Sequence, residues 1–496
     1  MKNTENKTFS SFFSFLSAEA SCSQTLLEAL RAEKHEISAP CGGNGTCKRC
    51  SVKVWGRVRS LTGEEKELEG EEILACRYYP AGDLKIELPG AEAKNAPIAV
   101  NAPDIPGGGE GLGLAVDIGT TTVAAYVYDL AEGRCVGKAS AMNAQRSYGA
   151  NVISRIQYAS DPAGLEELSR VIRNQITELT RSMCDPADIK YISIAANTVM
   201  EHIFAGLSPE GIGKAPFKPL SLFGDEYPAA DFLSGFHPDC VLYLAPAVSG
   251  YVGGDITAGI LSSGAYKSEK TVLFIDIGTN GEMALGDKNG FVSCATAAGP
   301  AFEGAEIDCG APAGDGAINA VNADLTCTVL GQTEAETICG SGIIDAVAAL
   351  LKNGIVDETG RMEEEKYYLT EKVFISARDI RQVQLAKAAI RAGIETLLEE
   401  KGCSYEDVDK VLIAGGFGAY MKVESACTIG LLPPEFRGKT VHTGNSAGAG
   451  AAMALTEQGR TELAKADALC GYLELSGLEL FNDNYIEAMM FEEVDE

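Results

Sequence analysis

The sequence predicts an α/β protein in two parts, a small cysteine-bearing head followed by a much larger body built from two copies of one α/β unit. Three observations predict this. Four cysteines, Cys41, Cys47, Cys50 and Cys76, crowd into a short span near the start. The stretch from Ala93 to Gly113 is broken by Pro97, Pro103 and Pro106 and then by Gly107-Gly108-Gly109. One signature, an apolar run entering Asp, then Gly, then hydroxyl residues, occurs at Leu114 to Thr122 and again at Phe274 to Gly281. A repeat that widely spaced marks a duplicated domain, not a solenoid unit.

The head is assigned to residues 1–92. Its opening, Ser10 to Cys22, loosely imitates a signal peptide, but Asn3, Glu5 and Asn6 dilute the basic end and the apolar core is short. Opening strands of the head are the preferred reading. Thr25 to Ala32 reads as a short helix, which leads into the Cys41, Cys47, Cys50 loop with three glycines, Gly42, Gly43 and Gly45, in its first gap. Four thiolates hold a cluster only if the backbone wraps it, and glycines let amide N–H groups turn toward the sulfurs. Zinc sites usually pair two short-spaced couples, whereas Cys76 stands alone after the strand pattern Ser51 to Trp55. The expectation is therefore a 2Fe-2S cluster, and the head resembles 2Fe-2S ferredoxin domains with the longer first gap of the adrenodoxin-like branch.

Residues 93–113 form the linker, semi-stiff at its proline-rich start and loose at its glycine end. The body then divides into 114–270 and 271–496. In each half a buried strand delivers a carboxylate, Asp117 or Asp276, to a turn whose backbone N–H groups face a phosphate. Leu165, Leu168, Ile172, Ile176 and Leu179 recur at helical spacing, so residues 163–183 form an amphipathic helix against a sheet. Lys190 to Ala195 is a buried strand that ends near Asn197, and His202 beyond it reads as a satisfied core imidazole. Val248 to Gly259 is rich enough in small residues to be a close helix crossing rather than a ligand loop. Gly340 and Ser341 open an apolar helix and offer free N–H groups to an anion or ribose, while Cys339 beside them reads as inert packing. Ser376 with Asp379 caps a helix carrying Ile380, Val383, Lys387, Ile390 and Ile394. Lys410 to Ala414 enters Gly415, Gly416 and Gly418, a turn with no side chains to block a flat base. Gly444 to Ala452 is a second close-packing helix.

Composition narrows the function. The 41 basic against 70 acidic side chains give a formal charge of -29, which repels nucleic acid and anionic membranes. No apolar run is long enough to span a bilayer. Fifteen cysteines, most scattered among apolar neighbours, suit a reducing, cytoplasmic setting.

In chain order, Asp-Ile-Gly-Thr-Thr-Thr, Asp-Ile-Gly-Thr-Asn-Gly and Ala-Gly-Gly-Phe-Gly resemble the two phosphate motifs and the adenosine motif of the acetate and sugar kinase, Hsc70 and actin superfamily. With the ferredoxin head on the same chain, the sequence is similar to the reductive activators of corrinoid-dependent enzymes. The resemblance implies a β-grasp 2Fe-2S domain fused to a duplicated ribonuclease H-like ATPase body. It also implies ATP-dependent reduction of a corrinoid protein from Co(II) to Co(I), with an electron donor to the cluster and a homodimer as one option for the body. Under it, Asp117 and Asp276 hold hydrated Mg2+. Gly119, Thr120, Thr121, Thr122, Gly278, Thr279, Asn280 and Gly281 cradle the phosphates of ATP, and Glu303 acts in the site or ligates the partner's cobalt. The linker runs directly into Leu114, so a short form without the middle domain is expected. Three alternatives stay open: a small-molecule kinase with a redox-sensing head, an ATP-binding regulatory protein without turnover, and an activator of a radical dehydratase.

Overall fold

The computed structural model describes residues 13–16, 24–33, 35, 37, 39, 43, 45, 48, 50–88, 102–415 and 420–492. In the head, four antiparallel strands lie in the order Phe13–Leu16, Tyr78–Glu87, Ser51–Ser60, Glu65–Leu74. The helix Leu26–Ala32 begins at a capping box, in which the Thr25 hydroxyl accepts from the Glu28 N–H and the Glu28 carboxylate accepts from the Thr25 N–H. Its buried face, Leu26, Leu27, Ala29 and Leu30, packs into one core with Val52, Val54, Ile86 and the thiols of Cys50 and Cys76.

The body contains two six-stranded sheets that share one five-strand topology and carry the sixth strand at opposite edges. The first runs Arg134–Met142, Thr122–Asp129, Leu112–Ile118, Ile189–Ala196, Val241–Leu244, Glu226–Pro228. The second runs Gly290–Thr296, Gly281–Asp287, Thr271–Ile277, Val408–Ala414, Thr440–Gly444, with Cys470–Tyr472 added beside Gly290–Thr296. In each, the strand carrying the aspartate pairs antiparallel with the strand that follows it and parallel with a later one. That position is buried on both faces, which is why Leu114 to Val116 and Val272 to Ile275 are continuous apolar runs. The duplication read from the motifs is therefore a duplication of topology.

Between the sheets, the helices Gly254–Ser263 and Ser446–Met453 cross in contact. A Cβ at Gly450 would lie 2.1 Å from the Ala258 carbonyl oxygen, so only glycine permits this approach. The small-residue stretches are thus the helix crossing that the sequence implies. The helices Pro162–Arg181 and Ala377–Lys401 cover outer faces, the latter started by the Ser376–Asp379 capping box.

The glycine end of the linker departs from expectation. It is not loose: the Ile105 N–H donates to the Gly133 carbonyl at 2.8 Å, Gly108 and Gly109 donate to the Leu130 carbonyl, and the Tyr128 hydroxyl donates to the Pro103 carbonyl at 2.9 Å. Here glycine serves close approach, since a Cβ at Gly107 would sit 2.5 Å from the Ala131 carbonyl oxygen. Among the described residues no helix is long and apolar enough to cross a membrane.

Candidate functional site

Asp117 and Asp276 end equivalent central strands, and both point into the space between the two halves. Asp276 senses the charges of Asp255 and Glu303, and Asp117 senses that of Asp276. The two turns are brought together by Glu303, whose carboxylate accepts from the Thr121 hydroxyl at 2.8 Å across the cleft. It also lies against the second turn, where a Cβ on Gly278 would sit 3.9 Å from Glu303 Oε1.

The first turn is held from behind. The Asn143 side-chain amide donates to the Gly119 carbonyl and its main-chain N–H to the Thr121 carbonyl, both at 2.8 Å. Asn197, which the sequence puts near the site, donates to the Thr120 hydroxyl at 3.1 Å and caps the helix Thr198–Ala205. Thr122 begins the outgoing strand. In the second turn the Gly278 N–H donates to the Asn280 carbonyl at 3.0 Å, the Asn280 amide donates to Glu282 at 3.1 Å, and Gly281 starts its strand. The Thr279 hydroxyl is buried with no hydrogen-bond partner, an orphaned group of the kind a phosphate oxygen satisfies.

Gly415 adjoins this cleft. At φ +93° it occupies the left-handed region, and a Cβ there would lie 2.6 Å from Asp276 Oδ1. Gly416 and Gly418 lie outside the described residues. Gly340 and Ser341 begin the helix Gly340–Lys352, where the Ser341 hydroxyl donates to the Asn319 carbonyl at 2.8 Å. Cys339 beside them is buried. His202 is satisfied as expected, with Nδ1 2.7 Å from the Thr198 carbonyl oxygen and Nε2 accepting from the N–H groups of Leu220 and Ser221.

Sequence reasoning missed several cleft residues. Asp255, in the first turn of Gly254–Ser263, lies among Asp117, Asp276 and Glu282, and its charge is felt by Asp276 and Glu282. Asn445 caps the equivalent helix of the second half and hydrogen-bonds Asp117. A signal was available in the repeat, because each half follows its last inner strand with a Gly-rich helix start, and a polar side chain occupies both starts. Glu201 is fully buried beneath Gly254, with neither carboxyl oxygen hydrogen-bonded. Arg155 is fully buried behind the first turn and donates from Nη2 to the Thr120 carbonyl.

Burial dominates the electrostatics. It pushes the Asp117, Asp255 and Asp276 carboxyls up to about 7, against the help Asp117 receives from Asn445, and the neighbouring carboxylates add to the rise. Burial, then Asp255, likewise raises Glu282 and Glu201. Among the described residues no three such groups are placed to hold a metal by themselves. The donor set nevertheless fits Mg2+, which keeps several waters and takes one or two carboxylates together with phosphate oxygens.

In the head, Cys50 and Cys76 are buried with their sulfurs 3.3 Å apart, well beyond the about 2.05 Å of a disulfide. Two paired, buried thiols fit ligation of a common metal corner. Cys41 and Cys47 lie outside the described residues.

The chain matches three family descriptions: a 2Fe-2S iron-sulfur cluster binding domain at residues 16–81, the RACo middle region at 112–268, and the C-terminal domain of RACo, the ASKHA domain, at 270–496. It is 33% identical over 423 residues to the corrinoid activation enzyme RamQ of Eubacterium limosum, covering 76% of this chain and 70% of that protein. It is 26% identical over 415 residues to the [Co(II) methylated amine-specific corrinoid protein] reductase of Methanosarcina barkeri, covering 75% of this chain and 76% of that one. Among solved structures, it superposes on a reductive activator for corrinoid, iron-sulfur protein with TM-score 0.70 and 31% identity, over 96% of both chains. The expected short form is corrected by these matches. What reads from sequence as the first half of the body is the stretch that matches the middle region, so that region is present.

Proposed function

Because the chain belongs to the RACo family of reductive activators, we propose that it uses ATP to drive one electron from a 2Fe-2S cluster onto the Co(II) of a corrinoid protein, regenerating Co(I). One observation carries the reading: paired buried thiols and a cleft between two aspartate turns occur on one polypeptide.

When bound, the cluster supplies a one-electron carrier of low potential. Cys50 and Cys76, with Cys41 and Cys47, are the residues assigned to hold it. In the body, Asp117 and Asp276 are assigned to hydrated Mg2+, with Asp255 adding its charge beside them, and the N–H groups of the two turns are assigned to phosphate oxygens, with Thr279 offering its free hydroxyl. Mg2+ supplies the countercharge that these buried carboxyls otherwise lack. Glu303 is held by Thr121 inside the cleft, which supports a role in orienting water or closing the two turns over a direct approach to the partner's cobalt. Gly415 lets the strand end close against Asp276 without a side chain between them, and with Gly416 and Gly418 it is assigned to the nucleoside.

Driving an electron uphill by 100 mV costs about 2.3 kcal/mol. Nucleotide-dependent affinity for the oxidised against the reduced partner supplies energy on that scale. The reading extends to a cytoplasmic setting, a separate electron donor and a body able to pair with a second copy.

The test mixes reconstituted protein, a strong reductant, Mg·ATP and a Co(II) corrinoid protein, and follows the visible spectrum. Co(I) bands that require ATP are expected. A phosphorylated small-molecule product, or reduction equally fast without nucleotide, overturns the proposal.

A further inference from the structure

We propose that the segment Asn143 to Arg155 is a strap that ties occupancy of the first phosphate turn to docking of the cysteine-bearing head, with Arg31 as the head's anchor on it. The inference rests on the proposed function only for its purpose; its geometry stands apart from cobalt.

At one end the strap grips the turn. Asn143 engages the Gly119 and Thr121 carbonyls, and Arg155 engages the Thr120 carbonyl between them, so three consecutive carbonyls are held by two strap residues. Arg155 also donates from Nε to the Gly149 carbonyl at 3.0 Å and from Nη1 to Gln145 Oε1 at 3.3 Å. The strap thus folds back on itself around one guanidinium. Gly149 has no room for a side chain, since a Cβ would sit 2.7 Å from Ser154 Oγ and 2.9 Å from the Arg155 nitrogen. All of these acceptors are neutral. A buried cation satisfied only by neutral groups is stabilised further when an anion arrives nearby, and the turn it backs is the one assigned to phosphate. Burial, then the neighbouring Arg146 charge, lowers its pKa to about 9, and the Glu303 charge opposes that.

At the other end the strap carries a platform. Arg31, on the head helix Leu26–Ala32, donates from Nη2 to the Ser147 carbonyl, and its guanidinium carbon lies 4.6 Å from the centre of the Tyr148 ring. That ring is fixed, because its hydroxyl donates to Glu167 Oε1 at 2.8 Å and it packs 5.2 Å from the Tyr158 ring. The same Arg31 nitrogen donates to the Ile37 carbonyl at 3.2 Å within the head. Its neighbours Ala29 and Leu30 pack in the core shared with Cys50 and Cys76, so the anchor is built into the wall of the cluster site.

Phosphate in the first turn therefore stabilises Arg155 and the strap in the conformation that presents Ser147 and Tyr148 to Arg31. By linkage, head docking and nucleotide binding strengthen one another by the same factor. Losing the charge-assisted contact of Arg31 shifts the docked population about tenfold, the scale of one such hydrogen bond.

The test uses the full chain with its cluster reconstituted, carrying genetically encoded fluorophores at the exposed positions Leu61 in the head and Val136 in the body. Energy transfer reads the head-to-body distance with and without a non-hydrolysable Mg·ATP analogue. Nucleotide is expected to raise the docked-to-undocked ratio in the unaltered protein by about tenfold. Arg31→Ala and Tyr148→Ala, on opposite sides of one contact, both abolish that rise while basal ATP hydrolysis at saturating nucleotide is unchanged, and Arg31→Lys restores it in part. Cluster absorbance confirms that each variant's head is folded. A distance indifferent to nucleotide in the unaltered protein, or docking unchanged in both alanine variants, overturns the proposal. Neither readout involves cobalt, so failure of corrinoid reduction and failure of this coupling are separately visible.

Discussion

Asp276→Asn should make the nucleotide-free protein more stable while removing its activity. The amide keeps the shape of the carboxylate and discards its charge. In the fold, burial, Asp255 and Glu303 push the Asp276 carboxyl from 3.8 up to about 7. A carboxyl raised in this way contributes stability that is fully present below its unfolded pKa and is lost as pH rises through its folded one. At about 1.4 kcal/mol per pKa unit, forcing it to ionise at pH 8 costs up to about 4 kcal/mol. Because the charge is shared with Asp255 and Glu303, about half of that is expected from one substitution. At pH 5 the folded carboxyl is largely protonated, and the gain falls to about 1 kcal/mol. Urea unfolding in EDTA at the two pH values reads the difference, and ATP hydrolysis stimulated by a corrinoid protein reads the loss, about a hundredfold or more. A variant no more stable than the parent at pH 8, or equally stabilised at both pH values, refutes the account of the cleft as mutually repelling buried carboxylates.

Cys76→Ser is expected to abolish iron binding and the visible absorbance of the head, whereas Cys427→Ala, buried far along the chain, leaves both intact; iron content checks this. Gly415→Ala places a Cβ 2.6 Å from Asp276 Oδ1 and strains a φ of +93°, so nucleotide affinity measured by calorimetry should fall at least about tenfold. Lys387 is buried beside Arg391, and burial pulls its pKa down to about 7, so its stability contribution falls away as pH drops from 10 toward 7. Lys387→Met should remove that slope and gain on the order of 2 kcal/mol at pH 7 in chemical unfolding, despite losing the bond to the Met490 carbonyl.

The two aspartate turns were legible because a buried strand, a carboxylate and a glycine turn must be contiguous in sequence to work, and the duplication printed them twice. The helix crossing was legible from its small residues for a similar local reason. Asp255 was hidden by that same legibility: the stretch that reads as close packing also presents a carboxylate from its first turn, and only the fold brings it between Asp117 and Asp276. Arg155 sits within an ordinary helix, Val152–Ala159, and its partners at Gly149 and Thr120 are backbone carbonyls, which leave no trace in residue identity. The loose glycine end of the linker misled because glycine permits either freedom or contact, and here the hairpin supplies contact.

The meeting of Gly450 with Ala258 has a mechanical consequence. Two smooth faces, joined by the bond from the Ser262 hydroxyl to the Ser446 carbonyl, act as a fulcrum. Packed helices of this kind accommodate small shear, and a small rotation there is magnified at the lips. A bulky residue on that pivot would act as a wedge, propping the jaws at one angle.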